Sequence, residues 1–425
     1  MKVPKRPLAG AVLSTFLSFG ALAHADPPRG SASEPAESGS RRFPTLERAL
    51  ELATRTGPRA RLREATVDVA RSSRAGAEVP SIDNPYVEFF FDRAVRPGVT
   101  EDLSFAANLW LPVELGGQRS ARLGEAEALV EWSEQRAEVS VAELGAALVS
   151  AYGRCLVSAA RRETLAESLA LAREEERLFA AKLAAGDTTA LDARLAEAER
   201  ARVEALAMQS QAALTRSMAE LAVLTGGAHA PPSPGALVSP PEPRLAYADE
   251  ELARSTPLAR LAEREAELHE ATRERAATEA YPALSLILTA GRGDLGETRL
   301  GGGLAWTIPM LRHRQSEKAR AEAEQVRALA ERDLTVGVSA ARLAGLRRER
   351  LAIQRAIEAL EAGGEQAARG AVEAARETIA LGKGEPFRLI AARRDALQLR
   401  TMKLDLIERE WALVAEHVLL TGGLP

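Results

Sequence analysis

The histidines and the single cysteine are the side chains best suited to metal binding or nucleophilic catalysis. The five histidines stand at positions 24, 229, 269, 313 and 417, and none has a second histidine or a cysteine at metal-ligand spacing. Cys155 lies on an apolar stripe of three- and four-residue spacing, which favours a helix-packing residue over a reactive thiol. One cysteine also excludes an internal disulfide. We predict no metal site and no cofactor.

Carboxylates are abundant, but their spacing does not favour acid–base catalysis. Most stand three or four residues from an arginine in helical patterns, which is typical of surface ion pairs. The glycine-rich "RLGGG" at 299–303 lies inside a strand pattern and opens no helix, so it is not a phosphate loop. The formal net charge is −4 without a basic cluster, which argues against a nucleic-acid partner. We predict that the protein is not an enzyme.

The first 25 residues have the composition of a secretory signal peptide. Three basic residues precede an apolar run that ends in Ala-His-Ala before Asp26. We expect cleavage and export, because an N-terminal membrane anchor is disfavoured by the short apolar core. No cysteine stands at the cleavage point, so a lipid anchor is not indicated. Residues 26–42 are expected to form a disordered lead-in.

Two stretches of the chain repeat each other. "AELAVLTGG" at 219–227 and "AEHVLLTGG" at 415–423 align with an offset of 196 positions, and other matches between the two halves share nearly the same offset. The pattern indicates a tandem duplication with small insertions. We predict that glycine pairs cap equivalent helices at mid-height in both copies, because a helix C-cap favours a residue without Cβ. These residues are Gly226, Gly227, Gly422 and Gly423.

The predicted domains are two repeats, 43–227 and 245–425, joined by a proline-rich linker at 228–244. Apolar residues three and four apart predict long amphipathic helices. Their predicted bounds are 46–77, 118–184, 190–224, 248–279, 315–380 and 387–420. The middle helix of each repeat would be about 100 Å long and its neighbours roughly 50 Å. Two short helices stacked end to end are therefore expected beside each long one, and glycines 363, 364 and 370 predict a break in the second long helix.

Each repeat also contains two segments that alternate with period two. They read "NPYVEFFFDRA" with "EDLSFAANLWLPV", and "ALSLILTAG" with "TRLGGGLAWTIP". About ten residues per strand is the length that crosses a bilayer when tilted. An aromatic girdle is predicted near the strand ends from Phe89, Phe91, Trp110 and Trp306. Four strands cannot close a barrel, so a membrane role requires oligomerisation, whereas a soluble β-cap on a helical rod does not.

This order of elements resembles the TolC family of outer-membrane efflux proteins over 43–425. The most specific words are "PVELGGQR" and the following "SARLGEAEA", and the first is most similar to the CzcC-like heavy-metal branch. Its motif residues are Pro112, Glu114, Leu115, Gly116, Gly117 and Arg119. The second copy, "PMLRHRQ", lacks the two glycines, so the branch assignment depends on one repeat.

The resemblance implies a mainly α fold: an α-barrel of long coiled helices, with four strands per chain in a trimeric twelve-stranded barrel. It places that homotrimer in the outer membrane of a Gram-negative bacterium, with the helical tunnel in the periplasm. An inner-membrane RND-type pump would feed it through a periplasmic adaptor, or membrane fusion protein. Adaptor hairpins would dock at periplasmic tips made by Gly186, Asp187, Thr188, Gly382, Lys383, Gly384, Glu385 and Pro386. Helix reversal alone also explains glycines at such turns.

The predicted function is a passive exit duct for a tripartite efflux system, with heavy-metal cations as the substrates that the branch suggests. Such a label does not imply that this subunit itself binds metal. The alternatives are the duct of a type I protein secretion system and a non-membrane periplasmic coiled-coil scaffold. Charged residues near the tips fit solvated faces as well as a constriction ring, namely Asp192, Arg194, Arg388, Arg393, Arg394 and Asp395.

Overall fold

A computed structural model describes most of the chain after the predicted lead-in. The described residues are 42–56, 58–81, 83–94, 102–241, 249–281, 284–293, 297–306, 314–381 and 385–423. The predicted signal peptide and all but the last residue of the lead-in lie outside them. All elements named below belong to one compact unit, Arg41–Pro425.

The described residues form long helices and one small sheet, as the fold class predicted. The first half contains α1 (Leu46–Glu51), a π-helical turn (Leu52–Thr56), α2 (Pro58–Ala77), β1 (Tyr86–Ala94), β2 (Asp102–Val113), α3 (Gln118–Ala185) and α4 (Ala190–Thr225). The second half contains α5 (Asp249–Arg254), α6 (Pro257–Thr278), β3 (Leu284–Arg292), β4 (Thr298–Trp306), α7 (Gln315–Ala359), a second π-helical turn (Leu360–Gly364), α8 (Glu365–Ala380) and α9 (Pro386–Thr421). Both halves therefore run helix, hairpin, long helix, helix.

Two helices predicted as continuous are broken near their starts. Pro58 begins α2 and Pro257 begins α6, each at a position where the missing N–H of proline has no intrahelical acceptor to lose. Thr256 caps α6 by accepting a hydrogen bond from the Ala259 N–H at 3.2 Å. The three- and four-residue spacing of apolar residues continues through both breaks. For that reason the spacing predicted one continuous helix in each place. The second long helix is interrupted at Gly363 and Gly364, as predicted.

The helices form a layer in which each long helix lies beside two shorter ones in series. Helix α3 contacts α2 and α4, and it also contacts α6 and α9 of the second half. Helix α6 packs on α7, and α9 packs on both α7 and α8. The order across the layer is therefore α2, α3, α6, α7 near the sheet and α4, α3, α9, α8 farther from it. A Cβ at Gly422 would lie 2.9 Å from Cγ of Pro257, so α9 ends against the start of α6.

The two copies of the "LTGG" motif lie at equivalent positions, the C-terminal ends of α4 and α9. Gly226 and Gly422 both adopt left-handed φ angles, 73° and 67°, at the C-caps of α4 and α9. The preceding threonines also act alike: Thr225 donates its hydroxyl to the Leu221 carbonyl and Thr421 to the His417 carbonyl. The N–H of Gly227 donates to Ala222 O at 3.0 Å, and that of Gly423 to Thr421 Oγ1 at 3.1 Å.

The main core surrounds the middle of α3. It joins α1, the end of α4 and α9, with Leu148, Val149, Tyr152, Trp411 and Val414 among its members. An 18-residue window of α3 is apolar enough to qualify as a membrane span by length and composition, but 56% of it is buried inside the protein. This window therefore behaves as part of a core helix.

The sheet joins the two hairpins. All neighbouring strands are antiparallel, in the order β1-β2-β3-β4, and β2 pairs with β3 through Leu109 opposite Leu288. Strands β1 and β4 form the two outer edges, and each has one paired side in the described part of the chain.

We expect Gly153→Ala to destabilise the core. A Cβ at this position of α3 would lie 2.4 Å from Cγ of Trp411, which is itself buried with its indole N–H donated to Val238 O. Overpacking of this kind costs about 1–3 kcal/mol. In the control, Gly124→Ala on the same helix meets no atom within 4 Å and should stabilise by about 0.5–1 kcal/mol. A thermal melt of Gly153→Ala at or above the wild-type midpoint would contradict the expected clash.

Candidate functional site

The sheet has one strongly apolar face and one polar face. Pairing and alternation place one set of large apolar side chains together: Val87, Phe89, Phe91, Leu103, Phe105, Leu109, Leu286, Leu288, Leu300, Leu304 and Trp306. The opposite face carries Glu88, Asp92, Ser104, Asn108, Ser285 and Thr289. No helix packs on the sheet in the described residues. An uncovered face of this area is typical of contact with lipid or with another chain.

The structure separates one predicted girdle residue from the other three. Phe89, Phe91 and Trp306 lie on the apolar face, and the side chains of Phe91 and Trp306 are 74% and 66% exposed. Trp110 lies on the polar face, because it stands opposite Tyr86, whose side chain points to the other side of the sheet from that of Val87. Its ring stacks on Tyr86 at 5.5 Å and its indole N–H donates to Glu88 at 3.2 Å. Trp110 therefore lies on the opposite face of the sheet from the other three.

The motif residues after β2 form the junction between sheet and helices. Gly117 has a left-handed φ of 79° and is the N-cap of α3. The N–H of Gly116 donates to Gln118 Oε1 at 2.7 Å, and a Cβ on Gly116 would lie 2.8 Å from the side chain of Tyr281. Tyr281 follows α6, so the two halves of the chain meet here. A side chain at Gly117 would be strained by the left-handed backbone, and one at Gly116 would clash with Tyr281, so both positions favour glycine.

A buried ion pair reinforces this junction. Arg122 Nη1 lies 2.6 Å from Glu114 Oε1, and the two side chains are only 5% and 11% exposed. Arg122 also donates to Val79 O at 3.1 Å, and Arg119 donates to Glu78 O at 3.2 Å. These bonds fasten α3 to the end of α2. Glu114 and Arg119 were among the predicted motif residues, whereas Arg122, three residues after Arg119, was not.

The turn between α3 and α4 is the only predicted tip that the structure describes in full. Gly186 takes a left-handed φ of 81°, and the N–H of Asp187 donates to Lys182 O at 2.8 Å. The hydroxyls of Thr188 and Thr189 both donate to Asp192, lowering the pKa of its carboxyl. Asp192 thus belongs to a capping box.

The second predicted tip is only partly described. Gly382, Lys383 and Gly384 lie outside the described residues, while Glu385 is the N-cap of α9 and Pro386 its first residue. Adaptor docking at either turn stays a prediction.

Buried charges link the helices beyond the main core. Arg393 of α9 lies 3.0 Å from Glu175 of α3, with side chains 15% and 8% exposed. Glu199 of α4 accepts hydrogen bonds from Arg202 and from Arg394 of α9. Burial raises the pKa of Glu199, but these hydrogen bonds more than offset it, so the net shift is downward. Arg393 is therefore not on a solvated face, and sequence spacing could not show its pairing.

The two edges of the helical layer carry exposed apolar stripes. On α4 the stripe points away from the buried side of the helix and comprises Ala198, Ala201, Ala205, Met208, Ala212, Ala219 and Val223. On α7 it comprises Ala319, Ala323, Val326, Ala330, Leu334, Val338 and Ala341. Met208 and Leu334 are 67% and 66% exposed. These helices stand at opposite ends of the layer, so both ends resemble half of an interface.

In the residues that the structure describes, no group of three His, Cys, Asp or Glu side chains could hold a metal ion. Cys155 is buried, and burial raises the pKa of its thiol to about 11. That shift keeps the thiol protonated and unreactive near neutral pH.

We expect Arg122→Met to destabilise the junction by about 3–5 kcal/mol, because it removes the buried cation that lies 2.6 Å from the Glu114 carboxylate. The double variant Glu114→Gln/Arg122→Met should recover most of that loss. Arg119→Gln, which removes a more exposed arginine, should cost under about 1 kcal/mol. Thermal melts and limited proteolysis near residue 116 measure the effect. If the double variant were as unstable as Arg122→Met, the unpaired charge would not be the cause.

Comparisons with known proteins agree with this architecture. Residues 59–227 match the family described as outer membrane efflux protein. A search of curated proteins finds no match.

Solved structures share the fold over nearly the whole chain. The outer-membrane channel OprN is 24% identical, with 90% of this chain and 91% of that one covered at a TM-score of 0.75. The outer membrane protein VceC from Vibrio cholerae is 19% identical, with 89% and 97% covered at 0.71. The MtrE outer membrane channel of Neisseria gonorrhoeae, in its open state, is 16% identical, with 90% and 89% covered at 0.72. The family match and the shared fold together support the outer membrane efflux family, and neither distinguishes a heavy-metal branch.

Proposed function

We propose that this chain is one subunit of a homotrimeric exit duct in the outer membrane, which passively conducts substrates of a tripartite efflux system. The observation that carries the proposal is that sheet and helical layer stop at two unpaired edges each. The sheet ends at β1 and β4, and the layer ends at α2 with α4 and at α7 with α8. Such a protomer is complete only when its edges meet other copies.

The sheet supports closure into a barrel. Its apolar face is uncovered, and strands of nine to twelve residues match the tilted length that crosses a bilayer. Open edges do not occur in lipid, so β1 of one copy must pair with β4 of the next. Three copies would supply twelve strands, the number that the resemblance to TolC-like proteins implies. The polar face, with Glu88, Asp92 and Trp110, would then line the interior.

The helical layer supports the same closure. A head-to-tail contact between unlike surfaces generates a ring when the rotation closes. In the half near the sheet, the α7 stripe of one copy would meet α2 of the next copy, and in the far half the α4 stripe would meet α8. The exposed apolar residues continue onto α2, at Leu62 and Val69. A tunnel wall of about 100 Å would follow from the 68 residues of α3.

We further propose which proteins this duct contacts and which substrates it conducts. The turn at Gly186 and the residues around 382–386 would meet a periplasmic adaptor, which an inner-membrane RND-type pump would feed. The face that would line the interior carries Glu88 and Asp92, but among the described residues no group of three His, Cys, Asp or Glu side chains could hold a metal ion, so selection would belong to the pump. Heavy-metal cations are the substrates suggested by the "ELGG" word, which stands in one repeat.

The proposal is tested by locating and sizing the expressed protein and recording its conductance. We expect it in outer-membrane fractions, as trimers in native mass spectrometry, with channel activity in planar bilayers. A soluble periplasmic monomer would contradict the duct and favour the scaffold. Co-purification with an ABC exporter and its adaptor would keep the duct but replace efflux with protein secretion.

We expect Leu334→Asn to weaken assembly, because it places an amide in the apolar stripe of α7. Thr335→Asn introduces the same side chain at the next residue, 100° around the helix and outside the stripe, and serves as the control. Size-exclusion chromatography with light scattering should show dissociation for Leu334→Asn at concentrations where the control stays trimeric. Equal behaviour of the two variants would exclude the stripe as an interface.

A further inference from the structure

A cavity of about 180 Å³ lies between α3, α4, α8 and α9, in the half of α3 that ends at the Gly186 turn. Helix α8, which forms one wall, is mostly exposed: among its described residues only Ile379 is buried. The cavity walls combine four arginines with apolar side chains: Arg369, Arg376, Arg393, Arg400, Leu171 and Val372. The proposed duct does not need this cavity.

The cavity has more positive than negative charge. Three carboxylates also line it, but two of them are paired with cations from elsewhere. Glu199 is held by Arg202 and Arg394, and Glu365 lies 3.2 Å from Lys403. Of the four arginines, Arg400 lies 3.6 Å from Glu167 outside the cavity, so Glu175 remains opposite the other three. An anion entering the cavity would therefore be attracted rather than repelled.

Arg393 is poorly satisfied in the structure. Its Nη1 lies 3.0 Å from Oε1 of Glu175, yet the two atoms do not make a hydrogen bond, and its Nε has no hydrogen-bond partner either among the described residues. All three atoms are buried from water. Burial lowers the pKa of Arg393 and raises that of Glu175, so the pair does not repay its own desolvation. The Nε and Nη1 of Arg393 therefore each retain a donor for an acceptor in the cavity.

We propose that this cavity binds a small organic anion, with one carboxylate that meets Arg393 and an apolar body that lies against Leu171 and Val372. A cavity of about 150 Å³ holds benzene, so this one, at about 180 Å³, has room for a benzene-sized ring, whose carboxylate would extend to Arg393. Bound there, the ligand would bridge α8 to α3 and α9. The inference does not depend on whether the chain conducts.

Benzoate is the probe for this site. Calorimetry on the full mature chain in non-ionic detergent should show one saturable benzoate site per chain. Benzyl alcohol lacks the charge and acetate lacks the ring, so both should bind at least about tenfold more weakly. Hydrogen exchange should slow in 365–380 when benzoate is present. Absence of benzoate binding, or equal binding of either analogue, would overturn the proposal.

Variants locate the site. Arg393→Gln should weaken benzoate binding about tenfold or more. Ala368→Leu fills the cavity from α8 without changing charge and should abolish binding, so it decides the question even if Arg393→Gln fails to fold. Arg409→Gln, on the same helix as Arg393 but paired with Glu349 outside the cavity, should leave binding unchanged. Undiminished binding in Ala368→Leu would place benzoate elsewhere and contradict the assignment.

Discussion

The unpaired backbone at the sheet edges constrains everything else in this protein. In the nine-residue strand β4, about four or five residues each point both their N–H and their C=O outward. Strand β1 presents a similar row. In lipid each such group costs several kcal/mol when it lacks a partner, so the two edges together represent tens of kcal/mol. Association of copies costs only about 4–15 kcal/mol in lost freedom. Under the proposed function, edge pairing therefore outweighs the cost of assembly.

The junction must reconcile two layers of different width. Four strands spaced about 4.8 Å apart span roughly 15–20 Å, whereas four helices spaced 8–10 Å apart span at least about 25 Å. The chain absorbs this difference in a few residues. Gly116 and Gly117 make the turn, Tyr281 packs against it from the other half, and the buried pair Glu114–Arg122 fixes the start of α3. Because burying two charges costs desolvation energy, this ion pair adds little net stability, and its main effect is to fix the orientation of α3 relative to the sheet.

Much of the architecture could be predicted because its signals are local. Glycines in the left-handed conformation bracket α3 at Gly117 and Gly186, so its bounds were predictable to within one residue. Strand alternation gave the hairpins and the apolar face. The breaks before Pro58 and Pro257 were missed because apolar spacing continues across them. Trp110 was grouped with the girdle by its place near a strand end, although alternation puts it on the other face.

The candidate sites were less predictable than the fold because they depend on tertiary contacts. Arg122 and Glu175 look like ordinary surface charges in the sequence, and only packing buries them. Arg393 and Arg394 are neighbours on α9, yet they pair with carboxylates from two different helices. No helical spacing rule connects positions so far apart in the chain. The apolar stripes on α4 and α7 were visible as periodicity, but which of their faces stays uncovered required the structure.

The central claim is that β1 of one copy pairs with β4 of the next, and disulfide cross-linking in intact outer membranes tests it most directly. Cysteine at Phe89 in β1 would be combined, one at a time, with cysteine at Leu300, Gly302 or Leu304 in β4, all on the apolar face. The account predicts a ladder that stops at covalent trimers, with one of the three pairs reacting best. Monomers in every combination, or ladders that extend beyond three copies, would contradict it.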